Sequence, residues 1–239
     1  QIYSTSRAFA ALTAEGDVYA WGDPSYGGFH SPFQGVKVSE HKYSTGGADA
    51  QVYSDSQIHS IVQIYSTKGA FAALDSSGHV YAWGYDSYGG AGGTISSSKS
   101  ITDQDHQDIK NIVQIYSTER AFAALDKDGD VYAWGDLSFG GFGPNSKIQA
   151  TKVSQYSYTS LFYEDNNNKI QYIVQIYTTK AAFAALDRYG HLYCWGSTSY
   201  GGFGSDSETK ATRLTNSSGL IDDIVQVYST ESAFAALDK

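Results

Sequence analysis

Methionine is absent from the 239-residue sequence, cysteine occurs once, and positive charge is scarce, with 16 Lys and Arg against 25 Asp and Glu. The single thiol, Cys194, excludes an internal disulfide framework and any zinc cluster built on cysteines. A formal charge of −9 argues against a nucleic-acid partner, because phosphate contacts need a cationic surface. No apolar run reaches the roughly 18 residues of a membrane-spanning helix, and nothing after Gln1 reads as the basic-then-apolar start of a signal peptide. This segment is therefore not expected to insert into a membrane. Also missing are HExxH, G-x-S-x-G, a Walker loop and a G-x-G-x-x-G after a strand, so no enzyme activity, metal site or cofactor is expected. A chain that starts at Gln1 and stops inside a repeat is expected to be a segment of a longer polypeptide.

What the sequence does contain is core material arranged in a repeat. Hydrophobic residues make up 41%, with 20 Tyr, 11 Phe and 4 Trp, enough for a folded interior. QIYSTSRAFAALTAEGDVYAWGD from Gln1 returns from Gln63, Gln114 and Gln175, and a shorter copy, QVYSTESAFAALDK, begins at Gln226. The spacings are 62, 51, 61 and 51 residues, so a larger period of 113 or 112 residues covers two units. Single positions follow that alternation. The residue after the turn glycine is Asp17, His79, Asp130, then His191, and Arg7 and Arg120 stand where the short units have Gly69 and Ala181. The units are 1–62, 63–113, 114–174 and 175–225. Residues 226–239 form the start of a fifth or a strand that completes a neighbour.

Within a unit the pattern is β. Ile112 to Tyr116, Ala121 to Leu125 and Val131 to Gly135 are short apolar runs bounded by polar residues or glycine, too short for typical helices. The second and third are joined by a hairpin turn in which a glycine supplies positive φ: Gly16, Gly78, Gly129 and Gly190. Ala72 and Ala73 leave room for a neighbouring sheet. The aromatic pairs Phe9 and Trp21, Phe71 and Trp83, Phe122 and Trp134, and Phe183 and Trp195 are expected to fill the space between sheets. A single unit cannot bury its own apolar face, so neighbours must share a core.

The pattern Ala-Leu-x-x-x-Gly-x-Val-Tyr-x-Trp-Gly, followed by x-x-x-x-Gly-Gly-Phe-Gly, runs from Ala124 to Gly143. It resembles the repeat of the regulator of chromosome condensation family, and the resemblance spans the whole chain. The resemblance implies an all-β fold of tandem four-stranded antiparallel blades, normally seven closing into a propeller. It also allows a protein-interaction module or an exchange factor for a small GTPase of the Ran type, cytoplasmic or nuclear. The chain departs from the family where Gly-Gly-Phe-Gly replaces the usual Gly-Gln-Leu-Gly and where Ala91 interrupts the second copy. Four and a quarter units do not make the usual ring, and a two-unit period does not divide seven. An open, filament-forming array accommodates both facts. The leading expectation is therefore a self-assembling structural repeat protein of the cell surface or extracellular space, whose partners are copies of itself.

Individual residues carry further expectations. Asp126 to Asp130 places oxygens at alternate positions as a calcium loop does. The equivalent Thr13 to Asp17 and Asp75 to His79 lack the carboxylates, so a hairpin turn is the better reading. His79 and His191 form no ligand pair and read as exposed turn residues. Cys194 replaces Ala20, Ala82 and Ala133 and reads as a small buried thiol. The row Tyr3, Tyr65, Tyr116, Tyr177 and Tyr228 fits a stacked ladder better than a carbohydrate-binding face. Asn216, followed by Ser217 and Ser218, matches an N-glycosylation acceptor. The long segments His30 to Ser60 and Gly143 to Tyr172 are where an exchange-factor wedge would have to lie.

Overall fold

A computed structural model describes residues 1–29, 36–38, 60–90, 99–102, 108–141, 151–153, 170, 172–202, 212–213, 215–216, 219–220 and 223–239. The chain is all-β. The first unit contains β1 (Ile2–Ser4), β2 (Ala8–Leu12), β3 (Val18–Gly22) and a short β4 (Val36–Lys37). The second contains β5 (Ile61–Ser66), β6 (Ala70–Asp75), β7 (Val80–Gly84) and β8 (Lys99–Ser100). The third contains β9 (Ile112–Ser117), β10 (Ala121–Asp126), β11 (Val131–Gly135) and β12 (Thr151–Lys152). The fourth contains β13 (Ile173–Thr178), β14 (Ala182–Asp187), β15 (Leu192–Gly196) and β16 (Thr212–Arg213). A small hairpin, β17 (Thr215–Asn216) with β18 (Gly219–Leu220), precedes the pair β19 (Ile224–Ser229) and β20 (Phe234–Asp238).

Each of the first four sheets is an antiparallel meander in chain order, with three full strands and a two-residue segment on the far edge of the third. The later sheets begin at Ile61, Ile112, Ile173 and Ile224, two residues before the glutamines that mark the sequence repeat. A register shift at each of these starts inserts one extra residue into the first strand. Such a bulge turns its side chain out of the ladder. Val62, Val113, Val174 and Val225 accordingly stand about half exposed beside buried isoleucines.

The core lies between units rather than within them. Ala8, Ala10, Val18 and Ala20 of the first sheet pack with Ile61, Ile64, Phe71 and Trp83 of the second, and the same pattern joins the second to the third and the third to the fourth. Strands β6, β10 and β14 are buried along their whole length because a neighbouring sheet covers each face. Alanine on both faces permits that close approach. The end sheets differ. Phe9 is 47% exposed, whereas Phe71, Phe122 and Phe183 are fully buried. The expectation that Phe9 is core is therefore corrected, because no preceding sheet lies over it among the described residues.

The chain leaves each third strand through a single 3-10 turn: Pro24–Tyr26, Asp86–Tyr88, Leu137–Phe139 and Thr198–Tyr200. The glycine that ends each turn has φ between +86° and +88°. A Cβ on Gly27 would lie 2.7 Å from the Phe71 ring, so the turn needs glycine for its backbone angle and for the space below it. Its carbonyl oxygen then accepts a hydrogen bond from the next unit's indole. Trp83 Nε1 donates to Gly27 O at 3.1 Å, Trp134 Nε1 to Gly89 O at 3.1 Å, and Trp195 Nε1 to Gly140 O at 3.0 Å.

Candidate functional site

First strands of successive units lie side by side, β1 by β5, β5 by β9, β9 by β13 and β13 by β19. The Ser/Thr-Thr-x-x turns that come after them are thereby gathered on one end of the array. There they surround a shallow depression of about 400 Å³ lined by hydroxyls and by Lys68, Glu119 and Lys180. The threonine holds each turn in place. Thr118 Oγ1 accepts from Ala121 N at 3.1 Å and donates to the Phe139 carbonyl at 2.9 Å, tying the turn after the first strand to the aromatic turn of its own unit. Thr5, Thr67 and Thr179 make the same pair of bonds. Sequence reasoning overlooked these threonines, although Thr at one fixed offset in all five copies was a visible signal.

The next residue links unit to unit. Ser6 N donates to Lys68 O, Lys68 N to Glu119 O, Glu119 N to Lys180 O and Lys180 N to Glu231 O, all at 2.9–3.0 Å. The side chains on this backbone ladder alternate in charge. Lys68 Nζ lies 2.6 Å from Glu119 Oε1, which is 3.8 Å from Lys180, and Lys180 lies 3.2 Å from Glu231. The hydrogen bond to Glu231 and the neighbouring Glu119 carboxylate hold the Lys180 ammonium above its ordinary pKa. The rim is thus charge-paired rather than a field of one sign.

Around it stands a second tier of aromatic turns. Tyr26, Tyr85 and Tyr88 cluster with ring centroids 5.6–6.4 Å apart. Arg120 lies 4.9 Å from the Tyr88 centroid of the preceding unit and 4.8 Å from Phe139 of its own, with Asp136 at 3.6 Å. Arg7 repeats half of this arrangement, 5.0 Å from Tyr26 and 3.8 Å from Asp23. Cations over aromatic faces contribute about 0.5–1 kcal/mol at exposed sites. Short units have Gly69 or Ala181 in the Arg position, and the Tyr88 ring packs directly on Gly69.

Phe9 with Trp21, Phe71 with Trp83, Phe122 with Trp134 and Phe183 with Trp195 stack at 5.3–5.6 Å across β-ladder positions. Gly16, Gly78, Gly129 and Gly190 have φ of +82° to +86°. Facing them are Ser60, Asn111, Tyr172 and Asp223, each with φ near +60°. Each of these residues opens the next unit, and Ile61 N donates to Gly16 O at 3.0 Å. Asn and Asp tolerate this left-handed conformation, but Tyr172 gave no sign of it.

Asp126 Oδ1 accepts the Asp128 and Asp130 amides at 2.9 and 2.8 Å, while Asp130 pairs with Lys152. The carboxylates close a hairpin turn. Burial raises the Asp126 pKa against the lowering effect of those two amides. In the short units Asp75 and Asp187 take the same two amides and also meet His79 Nδ1 at 3.2 Å and His191 Nδ1 at 2.8 Å. The histidines stand part-exposed at the turns, each bound to a buried carboxylate. Among the described residues no group of three or more His, Cys, Asp or Glu side chains is placed to hold a metal ion.

Cys194 is buried, and burial pushes its thiol up to about 12. Tyr65 and Tyr116 are half-buried, and burial raises their pKa values against the lowering effect of the backbone at Ile115 and Ile176 of the following units. Asn216 ends β17, and the rest of its acceptor sequence lies outside the described residues. Most of His30 to Ser60 and of Gly143 to Tyr172 also lies outside them. No described helix is long and apolar enough to cross a membrane.

No protein-family model matches the chain. It is 26% identical to Protein RCC1 of Candida albicans over 95% of this chain and 62% of that protein. It is 24% identical to the RCC1-like G exchanging factor-like protein of Mus musculus over 77% of this chain and 38% of that protein. The fold of human WBSCR16 covers 100% of this chain and 57% of its own, with a TM-score of 0.55 and 20% identity. The chain thus spans less than two thirds of the length of these relatives. In its repeat signature, its tandem antiparallel sheets and these matches, the chain is similar to RCC1-like repeat proteins.

Proposed function

We propose that the chain is part of a β-propeller protein-interaction module whose units act as four-stranded blades and whose axial rim, with its aromatic turns, is the face offered to a partner. The observation that carries this reading is the rim itself: four turns locked by threonine hydroxyls and joined by an inter-unit backbone ladder, presenting Lys68, Glu119 and Lys180 around one depression. A rigid face of that kind suits recognition of a folded protein with little rearrangement. In this reading the blades are 1–62, 63–113, 114–174 and 175–225, with 226–239 opening another.

The geometry supports this over a surface filament. The two-unit period is the main argument for a fibre, and it is accounted for inside the array by local pairs: Asp17 with Lys37 and Asp130 with Lys152 in the long units, Asp75 with His79 and Asp187 with His191 in the short ones. The first unit already breaks the period, with Ser6 and Thr13 where the third has Glu119 and Asp126. A sugar-binding platform is disfavoured because the Tyr65 and Tyr116 rings pack against the cores between units. Use of Asn216 as a glycan acceptor belongs with the extracellular reading and loses weight with it.

The partner class best supported by the relatives' names is a small GTPase, with the module acting as an exchange factor in the cytoplasm or nucleus. The test is release of fluorescent GDP from small GTPases of the Ran type at increasing concentrations of the chain. Acceleration is the expected result, abolished by the charge reversals Lys68→Glu and Lys180→Glu together. No acceleration with any GTPase tried, and no complex on size exclusion, would overturn the exchange reading.

A further inference from the structure

The corner that opens the fourth unit carries side chains unlike those of its counterparts. The residue before the first strand and the two that lead into the hairpin glycine are Ser60, Ser76 and Ser77 in the second unit, Asn111, Lys127 and Asp128 in the third, and Tyr172, Arg188 and Tyr189 in the fourth. All of these positions are exposed. The face is therefore open in units flanked by a sheet on each side, and its exposure owes nothing to where the chain ends. Tyr172 and Tyr189 are 41% and 57% exposed at places where a small polar side chain suffices elsewhere.

The three side chains form one cluster on a rigid mount. The Arg188 guanidinium carbon lies 4.2 Å from the Tyr172 ring centroid, Tyr172 meets Tyr189 edge to face at 6.0 Å, and Tyr189 lies 6.1 Å from the His191 ring. Arg188 N donates to Tyr172 O at 3.1 Å, Ile173 N to Gly129 O at 3.0 Å, and Tyr189 N to Asp187 Oδ1 at 2.9 Å. Tyr172 holds φ at +60°, a conformation that a bulky side chain disfavours, so the fold keeps a ring at this corner against its backbone preference. Such local strain is characteristic of functional positions. The charge of the cluster is open as well. Arg7 and Arg120 each pair with an aspartate, whereas Arg188 has no carboxylate partner among the described residues. Asp187 beside it is taken by two amides and by His191, and Asp223, which packs on Gly190, pairs with Lys239 at 3.6 Å.

We propose that Tyr172, Arg188 and Tyr189 form a second docking surface, for a partner-protein segment that carries an aspartate or glutamate next to an apolar side chain. Tyrosine and arginine are the residue types in which binding energy concentrates at interfaces, and a cluster held in place before binding loses little freedom on contact. Tyr172 covers one face of the guanidinium and leaves its edge to take a carboxylate in plane, while the Tyr189 ring offers the apolar contact. One uncompensated positive charge matches one carboxylate better than a doubly charged phosphate. The surface lies at the start of β13, and Thr179 and Lys180 of the rim follow its end, roughly 20 Å away along the strand. It is thus separate from the hydroxyl-lined depression and does not rest on any GTPase partner.

The test is a random peptide library displayed on phage, panned against the folded chain after depletion on the variant Tyr172→Ser, Arg188→Ser, Tyr189→Ser. That variant copies the corner of the second unit, so it is expected to fold, and a thermal melt matching the parent checks this. The expected survivors share an Asp or Glu beside an apolar residue. Their synthetic versions bind the parent at least about tenfold more tightly than they bind the variant, and lose as much when the acid is replaced by its amide. Lys68→Glu with Lys180→Glu leaves this binding unchanged. No survivor, survivors that bind equally well without the acid, or binding lost with the rim reversals would each overturn the proposal. Displacement by inorganic phosphate would do so by assigning the guanidinium to a phosphate, and a dimer of the chain that the serine variant abolishes would do so by assigning the surface to a second copy.

Discussion

Phe9 and Phe122 occupy the same place in the repeat, and their environments make them different residues energetically. Phe122 is fully buried between two sheets and under a glycine turn, so Phe122→Ala is expected to cost about 3–5 kcal/mol through lost burial and an unfilled cavity. Phe9→Ala, at a half-open site, is expected to cost less than about 2 kcal/mol. Urea unfolding of both variants checks the ranking, and equal losses would mean that the first unit is covered in solution. Asp126 offers a pH-dependent case. Burial raises its carboxyl pKa in the folded chain, so its stability contribution is fullest at pH below the ordinary carboxylate range and is lost as pH rises through the raised value. Asp126→Asn keeps an oxygen for the Asp128 and Asp130 amides and removes the buried charge. The stability difference between Asp126→Asn and the parent is expected to move in favour of the variant from acid to neutral pH; a difference that is flat across that range refutes the account.

The elements owe their positions to backbone and hydroxyl bonds more than to charge. Lys68, Glu119 and Lys180 are conspicuous, yet their side chains are only partly covered at the surface, and such pairs contribute up to about 1 kcal/mol. Thr118 is buried and satisfies one amide and one carbonyl at once. Thr118→Val is expected to cost about 1–3 kcal/mol, more than Glu119→Gln, and thermal melts at low and high salt will show the first loss unchanged by ionic strength. This hierarchy was only partly legible in the sequence. The strands could be read because Ala121 to Leu125 and Val131 to Gly135 are apolar blocks set off by a glycine turn, a signal local to the chain. The outward-facing Val113 could not, since its bulge exists only in the pairing with β10. Nor could the sandwich of Arg120 between Tyr88 and Phe139, which joins residues of two units. The rim was missed for a related reason: its turns are unremarkable singly and become a face only when first strands line up.

At the scale of the whole molecule, cohesion is passed from neighbour to neighbour, as in other repeat proteins. The middle sheets are supported on both sides, whereas β1–β2 and β19–β20 each lack one flank among the described residues. Amide hydrogen exchange is therefore expected to be slowest in β6, β10 and β14 and fastest in β20 and β2, a gradient along the chain that mass spectrometry of peptic fragments can resolve. Uniform protection would show the array to be a single cooperative block. The corner at which each unit begins has its own consequence. Ser60, Asn111, Tyr172 and Asp223 adopt one backbone conformation against the hairpin glycine of the unit before, whether the stretch since the previous Trp-Gly strand is short or long. Position in the array is thus reset at every corner, so the segments between can lengthen, shorten or be replaced by foreign sequence without disturbing the phase of the units beyond them. The scaffold is in effect modular at those points, a natural mount on which new loops can be tried one at a time.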